Sequence, residues 1–267
     1  MIDYLKQSTF TINEVIIKSL ALTKRHYIGI SVICLLLFLI TWLSGYIASF
    51  VSEAPIMVRI SGLILFGSAY MVNYVILYKY IFHLLDSENK AIGLTDVLPT
   101  KVQFVNYLWA NLMMVLIFFG CAAALFIFGA LIGLPLSFLG FSFYDVSIGI
   151  ILPLFAIFLI VVWIRLSFFQ LFIIDKDIPS FESIKLSLAI TRGNFFKIFL
   201  FLILLGISQL FALILNYLDL PLTAFVVNII CSMIIVPISA VALTVAYRKM
   251  IEGYQGDEHP DIIHNIL

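Results

Sequence analysis

Six apolar runs, each long enough to cross a lipid bilayer, limit what this 267-residue chain can fold into. A helix needs about 20 residues to cross the hydrocarbon core, and in lipid it satisfies its own backbone hydrogen bonds. The composition agrees, because 63% of the residues are hydrophobic and 11% are charged, against roughly one quarter charged in soluble domains. The sequence therefore predicts an all-α, polytopic membrane protein with six transmembrane helices. We place these helices at residues 27–50, 60–85, 104–133, 146–174, 195–217 and 222–247.

A short motif precedes two of the apolar runs. The segment from Ser19 reads SLALTKRHY, and the segment from Ser187 reads SLAITRGNF. A third, degenerate copy runs from Gly93 to Tyr107 and includes residue 103, the midpoint between the starts of the other two. Self-similarity at a regular spacing indicates a repeat architecture. We therefore interpret the chain as three repeated helical hairpins, each preceded by an amphipathic helix in the membrane interface.

The repeats together form one predicted membrane domain over residues 1–252. Their predicted bounds are residues 8–85, 92–174 and 179–252. Residues 253–267 make a polar tail whose composition predicts disorder.

The segments that begin the first and last repeats carry helix start signals and one apolar stripe each. Thr11 and Glu14 have the spacing of a capping box, and Ser180 follows a proline. We expect the stripes to face the apolar side of the interface. Their members are Ile12, Val15, Ile16 and Leu20 in the first segment, and Phe181, Ile184 and Leu188 in the last. An elbow between two spans explains this pattern, and binding of lipid headgroups is the alternative.

The basic residues predict the orientation. All of the 15 Lys and Arg residues except Arg59 lie before the first run, around the loops after the second and fourth runs, or after the last run. Basic residues are retained on the cytoplasmic face of a membrane. We therefore expect both termini in the cytoplasm and Arg59 on the opposite side.

Three bases near the cytoplasmic ends of apolar runs are candidate ligands for an anion or an anionic lipid. They are Lys79, Arg165 and Arg248, which occupy comparable places in the three repeats. A base inside a membrane helix costs about 2.5 to 3.5 kcal/mol on insertion scales, so its presence needs a reason. Snorkelling of each side chain to the surface is one reason. Convergence of the three bases on a phosphate or carboxylate is the other.

Patterns of catalytic or metal-binding residues are missing from the sequence. The four histidines include no pair at metal-ligand spacing on a helix, and the apolar runs contain no paired carboxylates. We therefore expect a protein that is not an enzyme, with no metal and no cofactor.

The run FFQLFIIDKDIPSFESIKLSLAITRGNFFKIFLFLILLG, which begins at Phe168, resembles a pattern in a known family. It is similar to YciC-like bacterial membrane proteins and to the membrane domain fused to some glycerophosphodiester phosphodiesterases. The resemblance implies a six-span fold in the inner membrane of a bacterium. In the fused proteins the phosphodiesterase chemistry belongs to a separate soluble barrel, so the resemblance implies no catalytic residue here.

These features together favour a non-enzymatic membrane protein that binds lipids or a partner protein and organises the membrane around it. The alternative is a transporter or carrier of a small or lipidic anion, for which Lys79, Arg165 and Arg248 would form the site. The expected partners are membrane lipids or another protein, and not nucleic acid.

Overall fold

The computed structural model describes residues 10–86, 93–138, 149, 151–192 and 194–252. Within these ranges the chain is helical and has no β-strand. The helices of the first half are α1 (Ile12–Arg25), α2 (Tyr27–Phe50), α3 (Ile56–Asp86), α4 (Leu94–Val97) and α5 (Lys101–Phe138). Those of the second half are α6 (Leu152–Leu166), α7 (Phe169–Lys176), α8 (Ser180–Ile190), α9 (Phe195–Tyr217) and α10 (Pro221–Glu252). The predicted tail lies outside the described residues.

The long helices confirm the all-helical fold class. Over the described residues, five helical stretches are long and apolar enough to cross a membrane. The count becomes six if α8 and the first part of α9, which meet at 104°, are taken as one broken span. Five to six long apolar helices are consistent with a polytopic membrane protein. The arrangement of the helices as three hairpins stays a prediction.

The amphipathic helices that were predicted to begin the repeats differ in length. α1 has 14 residues and α8 has 11, whereas α4 in the middle repeat has 4 residues, a single turn. Gly93 is the N-cap residue of α4, and its backbone N–H donates to Asp96 Oδ2 at 3.1 Å. One turn is too short to present an apolar stripe, so the expectation of an amphipathic helix is wrong for the middle repeat.

The predicted apolar stripes are only partly the faces that the helices bury. In α1, Val15 is buried, whereas Leu20 is exposed. In α8, Ile184 is buried, whereas Phe181 and Leu188 are 59% and 38% exposed. That these three residues face the apolar side of the interface stays a prediction. The buried faces centre instead on small hydroxyl residues, which are Ser19 and Thr23 in α1, and Ser180, Ser183, Ser187 and Thr191 at α8.

The serine face allows α8 to lie close against α5, α6 and α7. Ser180 Oγ donates to the carbonyl of Asn106 in α5 at 2.8 Å, so the contact is polar as well as tight. Small residues permit close helix approach in membranes, where the apolar side chains gain little by leaving lipid. The bulky Phe181 and Leu188 can therefore point outward.

The serine that begins the repeated motif has a specific role at the break between α6 and α7. Ser187 Oγ donates to the carbonyl of Arg165 at 2.8 Å and accepts the backbone N–H of Phe168 at 3.2 Å. Residues 167–168 form a turn, which frees this amide from the regular helix. One buried hydroxyl therefore supports the broken backbone of a long apolar segment.

The equivalent residue of the first copy makes a different contact. Ser19 Oγ donates to Ile16 in its own helix at 2.9 Å. α1 packs against α10, which is one continuous helix and offers no freed amide at this position. Both copies of the motif therefore bury a face of small residues. Of the two serines, only Ser187 hydrogen-bonds to the backbone of another helix.

α2, α3 and α10 form the centre of the packing, and α10 also contacts α1 and α9. Gly29 in α2 permits the ring of Tyr80 in α3 to approach its Cα, because a Cβ at this position would overlap the tyrosine hydroxyl. Asn73 Nδ2 in α3 donates to the carbonyl of Ile33 in α2 at 3.2 Å, and Ser31 Oγ in α2 donates to that of Met233 in α10 at 3.1 Å. Interhelical hydrogen bonds thus join all three helices.

Candidate functional site

An ion cluster joins α3, α7 and α10 at the end of the bundle where α1 also lies, which we call the surface-helix end. The cation is Arg248, whose Nη2 lies 2.8 Å from Asp175 Oδ1 and 3.1 Å from Asp86 Oδ2. The side chain of Asp175 is only 5% exposed, whereas that of Asp86 is 58% exposed. The contact with Asp175 is therefore the buried part of the cluster.

Aromatic residues enclose the buried pair. Tyr247 Oη donates to Asp175 Oδ2 at 3.2 Å, so both carboxylate oxygens have a partner. The guanidinium of Arg248 lies 5.1 Å from the ring centroid of Phe82, and the ring of Phe172 contacts that of Tyr247. The cluster thus connects the C-terminal parts of α3, α7 and α10 through charge, hydrogen bonds and ring contacts.

A second ion pair lies beside the cluster on the surface. Lys249 Nζ lies 2.9 Å from Glu14 Oε1, which connects α10 with α1. This hydrogen bond and the charge of Lys249 lower the pKa of the Glu14 carboxyl. Because both side chains are solvent-accessible, the pair contributes little to stability.

The structure gives the three candidate bases separate surroundings. Arg248 is neutralised by Asp86 and Asp175. Lys79 Nζ donates to the carbonyl of Leu98 at 2.9 Å and to Gln103 Oε1 at 3.3 Å. No hydrogen bond or ion pair within the described residues links Lys79 to Arg248.

Arg165, the third base, is half-buried near the end of α6. Its charge interacts unfavourably with that of Arg192, and no carboxylate among the described residues pairs with it. The described contacts therefore bring none of the three bases together. An anion site formed by Lys79, Arg165 and Arg248 stays a prediction.

A different site, which we call the α2–α3 groove, runs between the first two long helices. Its first part, the turn-end chamber, has a volume of about 610 Å³ and begins beside the loop that joins α2 to α3. Its walls are apolar apart from a few groups, which are Thr41, Ser44, Arg59 and Tyr70. Gly62 and Gly67 also line it, and a Cβ at either position would meet nothing within 4 Å, so the wall is recessed there.

The second part, the inner chamber, has a volume of about 630 Å³ and is closed on its far side by α9 and α10. Thr41 and Tyr70 line both chambers, so the two chambers are neighbours along the groove. The inner walls include three tyrosines of α3 and small polar residues of α10, namely Tyr70, Tyr74, Tyr78, Asn228, Ser232 and Ser239. A site with mostly apolar walls and a few polar groups is the usual form of a small-molecule pocket.

The tyrosines form a row along the groove. The ring centroids of Tyr70 and Tyr74 are 6.2 Å apart, and those of Tyr74 and Tyr78 are 4.7 Å apart. Tyr107 of α5 lies behind the row, 5.9 Å from Tyr74. Aromatic rings supply a rigid apolar wall, and the hydroxyl groups of Tyr74 and Tyr78 share a hydrogen bond within it.

The groove is almost as long as a membrane is thick. Arg59 and Tyr78, near its two ends, are separated by about 28 Å of α3, at about 1.5 Å per residue. The hydrocarbon core of a bilayer measures about 30 Å. The groove therefore follows the α2–α3 pair through most of the apolar layer.

Sequence reasoning did not find this groove, although part of its signal is visible. Small residues recur on one stripe of α2 and on the facing stripe of α3, at Thr41, Ser44, Gly62 and Gly67. Such residues are common where helices pack closely, so the stripe alone does not distinguish a contact from a cavity. In the part of the chain that the structure describes, no group of three His, Cys, Asp or Glu side chains is placed to hold a metal ion.

Comparisons of this chain with protein-family models, with curated proteins and with solved structures find no match. The resemblance of the segment from Phe168 to the YciC-like proteins therefore stays a prediction.

Proposed function

We propose that the protein is a non-enzymatic, lipid-binding membrane protein that holds an acyl chain in the α2–α3 groove. The observation that supports this most is a pair of neighbouring, mostly apolar chambers of about 610 and 630 Å³ along the α2–α3 pair. Both volumes lie in the range of about 300 to 1,000 Å³ that ligand pockets occupy. An acyl chain is the apolar ligand that a membrane offers in greatest supply.

The walls of the groove carry large apolar side chains that can pack against an acyl chain. Leu63 and Phe66 line the turn-end chamber, and Leu37, Phe38 and Leu243 line the inner chamber. Leu63 is 75% exposed, so one wall also faces the surroundings of the bundle. A lipid can therefore reach the groove sideways from the bilayer.

Filling the inner chamber tests the proposal. Ser239 is half-buried on α10 and lines this chamber, so Ser239→Phe places a ring in the space that the chain would occupy. We expect the tightly bound lipid, measured by native mass spectrometry after gentle purification, to fall several-fold. The control is Ile234→Phe, which enlarges an exposed residue of the same helix.

Thermal unfolding of both variants shows whether each remains folded. Thr41→Trp provides a second test, because Thr41 lies where the two chambers meet. If folded Ser239→Phe and folded Thr41→Trp both retain as much bound lipid as the wild type, the proposed function is wrong.

A carrier of a lipidic anion is the second candidate, and the length of the groove favours it. A path of about 28 Å along α3 covers most of the distance between the two leaflets. Fluorescent phospholipid in proteoliposomes measures its movement between leaflets. Movement faster than in protein-free vesicles, and slowed by Thr41→Trp, would favour the carrier.

A further inference from the structure

Arg59 is the one base that lines the α2–α3 groove within the described residues. It lies in the first turn of α3, at the end of the turn-end chamber farthest from Tyr78. The ion cluster and α1 lie at the opposite end of α3, the surface-helix end. The groove therefore has one charged end, and this charge is positive.

The side chain of Arg59 is held in a way that leaves its outer face available. Its Nε donates to the carbonyl of Ala54 in the α2–α3 loop at 2.8 Å. No carboxylate among the described residues pairs with it, and its terminal nitrogens make no other hydrogen bond there. A guanidinium presents two parallel N–H groups that match the oxygens of a phosphate.

The distance from Arg59 to the middle of the groove matches one leaflet of a membrane. Arg59 and Tyr70 are separated by about 16 Å of helix, at about 1.5 Å per residue. One leaflet contributes half of the hydrocarbon core of about 30 Å. With a phosphate at Arg59, an acyl chain of ordinary length would extend to Thr41 and Tyr70, where the two chambers join.

The absence of acids along the groove selects the headgroup. No Asp or Glu lines either chamber in the described part of the chain. The amine of a zwitterionic headgroup would find no carboxylate in these walls, whereas a headgroup whose only charge is the phosphate needs none. The charge pattern therefore favours an anionic phospholipid.

We propose that the ligand of the α2–α3 groove is an anionic phospholipid, with its phosphate on Arg59 and one acyl chain in the turn-end chamber. The inference rests on the proposed lipid-binding function and adds the headgroup class and the leaflet. The leaflet is the one at the α2–α3 loop, which the distribution of bases predicts to be the outer one.

Competition between two phospholipids with identical chains tests the headgroup. The purified full-length protein is placed in mixed phosphatidylglycerol and phosphatidylcholine, and the tightly bound lipids are identified by native mass spectrometry. We expect phosphatidylglycerol to be enriched about tenfold in the wild type, because no cationic group of its headgroup is repelled by Arg59 or offsets the attraction of its phosphate; about 1.4 kcal/mol corresponds to tenfold. Arg59→Gln should abolish the enrichment, and Arg59→Lys should retain part of it.

The matched control is Lys24→Gln, which removes one exposed base from α1 at the surface-helix end. It should leave the enrichment unchanged, which separates a site at Arg59 from general attraction by positive charge. Inorganic phosphate added in excess should not displace the lipid. Displacement would show that the site binds free phosphate, and would overturn the proposal.

The outcomes separate this inference from the proposed function. If Thr41→Trp removes tightly bound lipid while Arg59→Gln keeps the preference for phosphatidylglycerol, the groove binds lipid and the headgroup assignment is wrong. If Ser239→Phe and Thr41→Trp both retain the lipid, the proposed function itself fails. Loss of the preference in Arg59→Gln with unchanged thermal stability supports the inference.

Discussion

Arg248→Met is expected to lower the free energy of unfolding by about 3 to 5 kcal/mol, the cost of removing one partner from a buried ion pair. The Asp175 side chain is 5% exposed and would be left with only the Tyr247 hydroxyl as a described partner. Methionine fills a volume similar to the arginine stem, so the lost charge dominates the effect. The measurement is thermal or denaturant unfolding of the purified protein in detergent.

Lys249→Met is the matched control, since it removes the neighbouring base and breaks a surface ion pair with Glu14. Exposed pairs contribute about 0.2 to 1 kcal/mol, so we expect a small effect. The double variant Arg248→Met with Asp175→Asn should regain much of the stability, because the remaining buried group is then neutral. Equal losses in Arg248→Met and Lys249→Met would contradict a buried role for the Arg248–Asp175 pair.

The cluster also has consequences for the groove. It fixes the C-terminal parts of α3 and α10, and these helices supply opposite walls of the inner chamber. A weakened cluster is therefore expected to loosen one end of the groove. Lipid retention should fall in Arg248→Met and return in the double variant.

Ser187→Ala has the second largest expected effect. The change removes the acceptor of the Phe168 amide and one donor to the Arg165 carbonyl, both at the break between α6 and α7. A buried backbone group without a hydrogen-bond partner lowers the free energy of unfolding by about 1 to 3 kcal/mol. The loss is larger where water cannot replace the missing partner. Thermal unfolding should show a clear decrease in Tm.

Ser19→Ala tests whether that decrease comes from the break and not from loss of any buried serine. Both serines are 0% exposed and occupy the same position of the repeated motif. Ser19 donates only within its own helix among the described contacts, so its loss should cost about 1 kcal/mol or less. A similar decrease in Tm for both variants would show that the hydroxyl at the break contributes nothing specific.

The amino-acid sequence by itself determined that the chain is helical and suited to a membrane. This follows from local physics, since an apolar segment of about 20 residues in lipid must satisfy its own backbone hydrogen bonds. The repeated motif was also visible, because Ser19 and Ser187 begin similar segments. Arg248 could be selected from sequence as an unusual base near the end of an apolar run.

Only the tertiary structure decided which side of each helix is inside. In water, burial follows the apolar stripe of a helix, which in α8 carries Phe181 and Leu188. In a bilayer the surroundings are as apolar as these side chains, so close packing and hydrogen bonds decide the buried face instead. The buried face of α8 contains three small serines, Ser180, Ser183 and Ser187, which allow close packing. Ser180 and Ser187 also donate hydrogen bonds to neighbouring helices.

The partners of the charged residues and the groove also required the fold. Asp86, Asp175 and Arg248 are distant in sequence and meet because α3, α7 and α10 end together. The groove is a space left between the facing stripes of α2 and α3 and closed by α9 and α10. Spacing along one helix shows which residues share a face, but the separation between two faces depends on every contact that holds the helices apart.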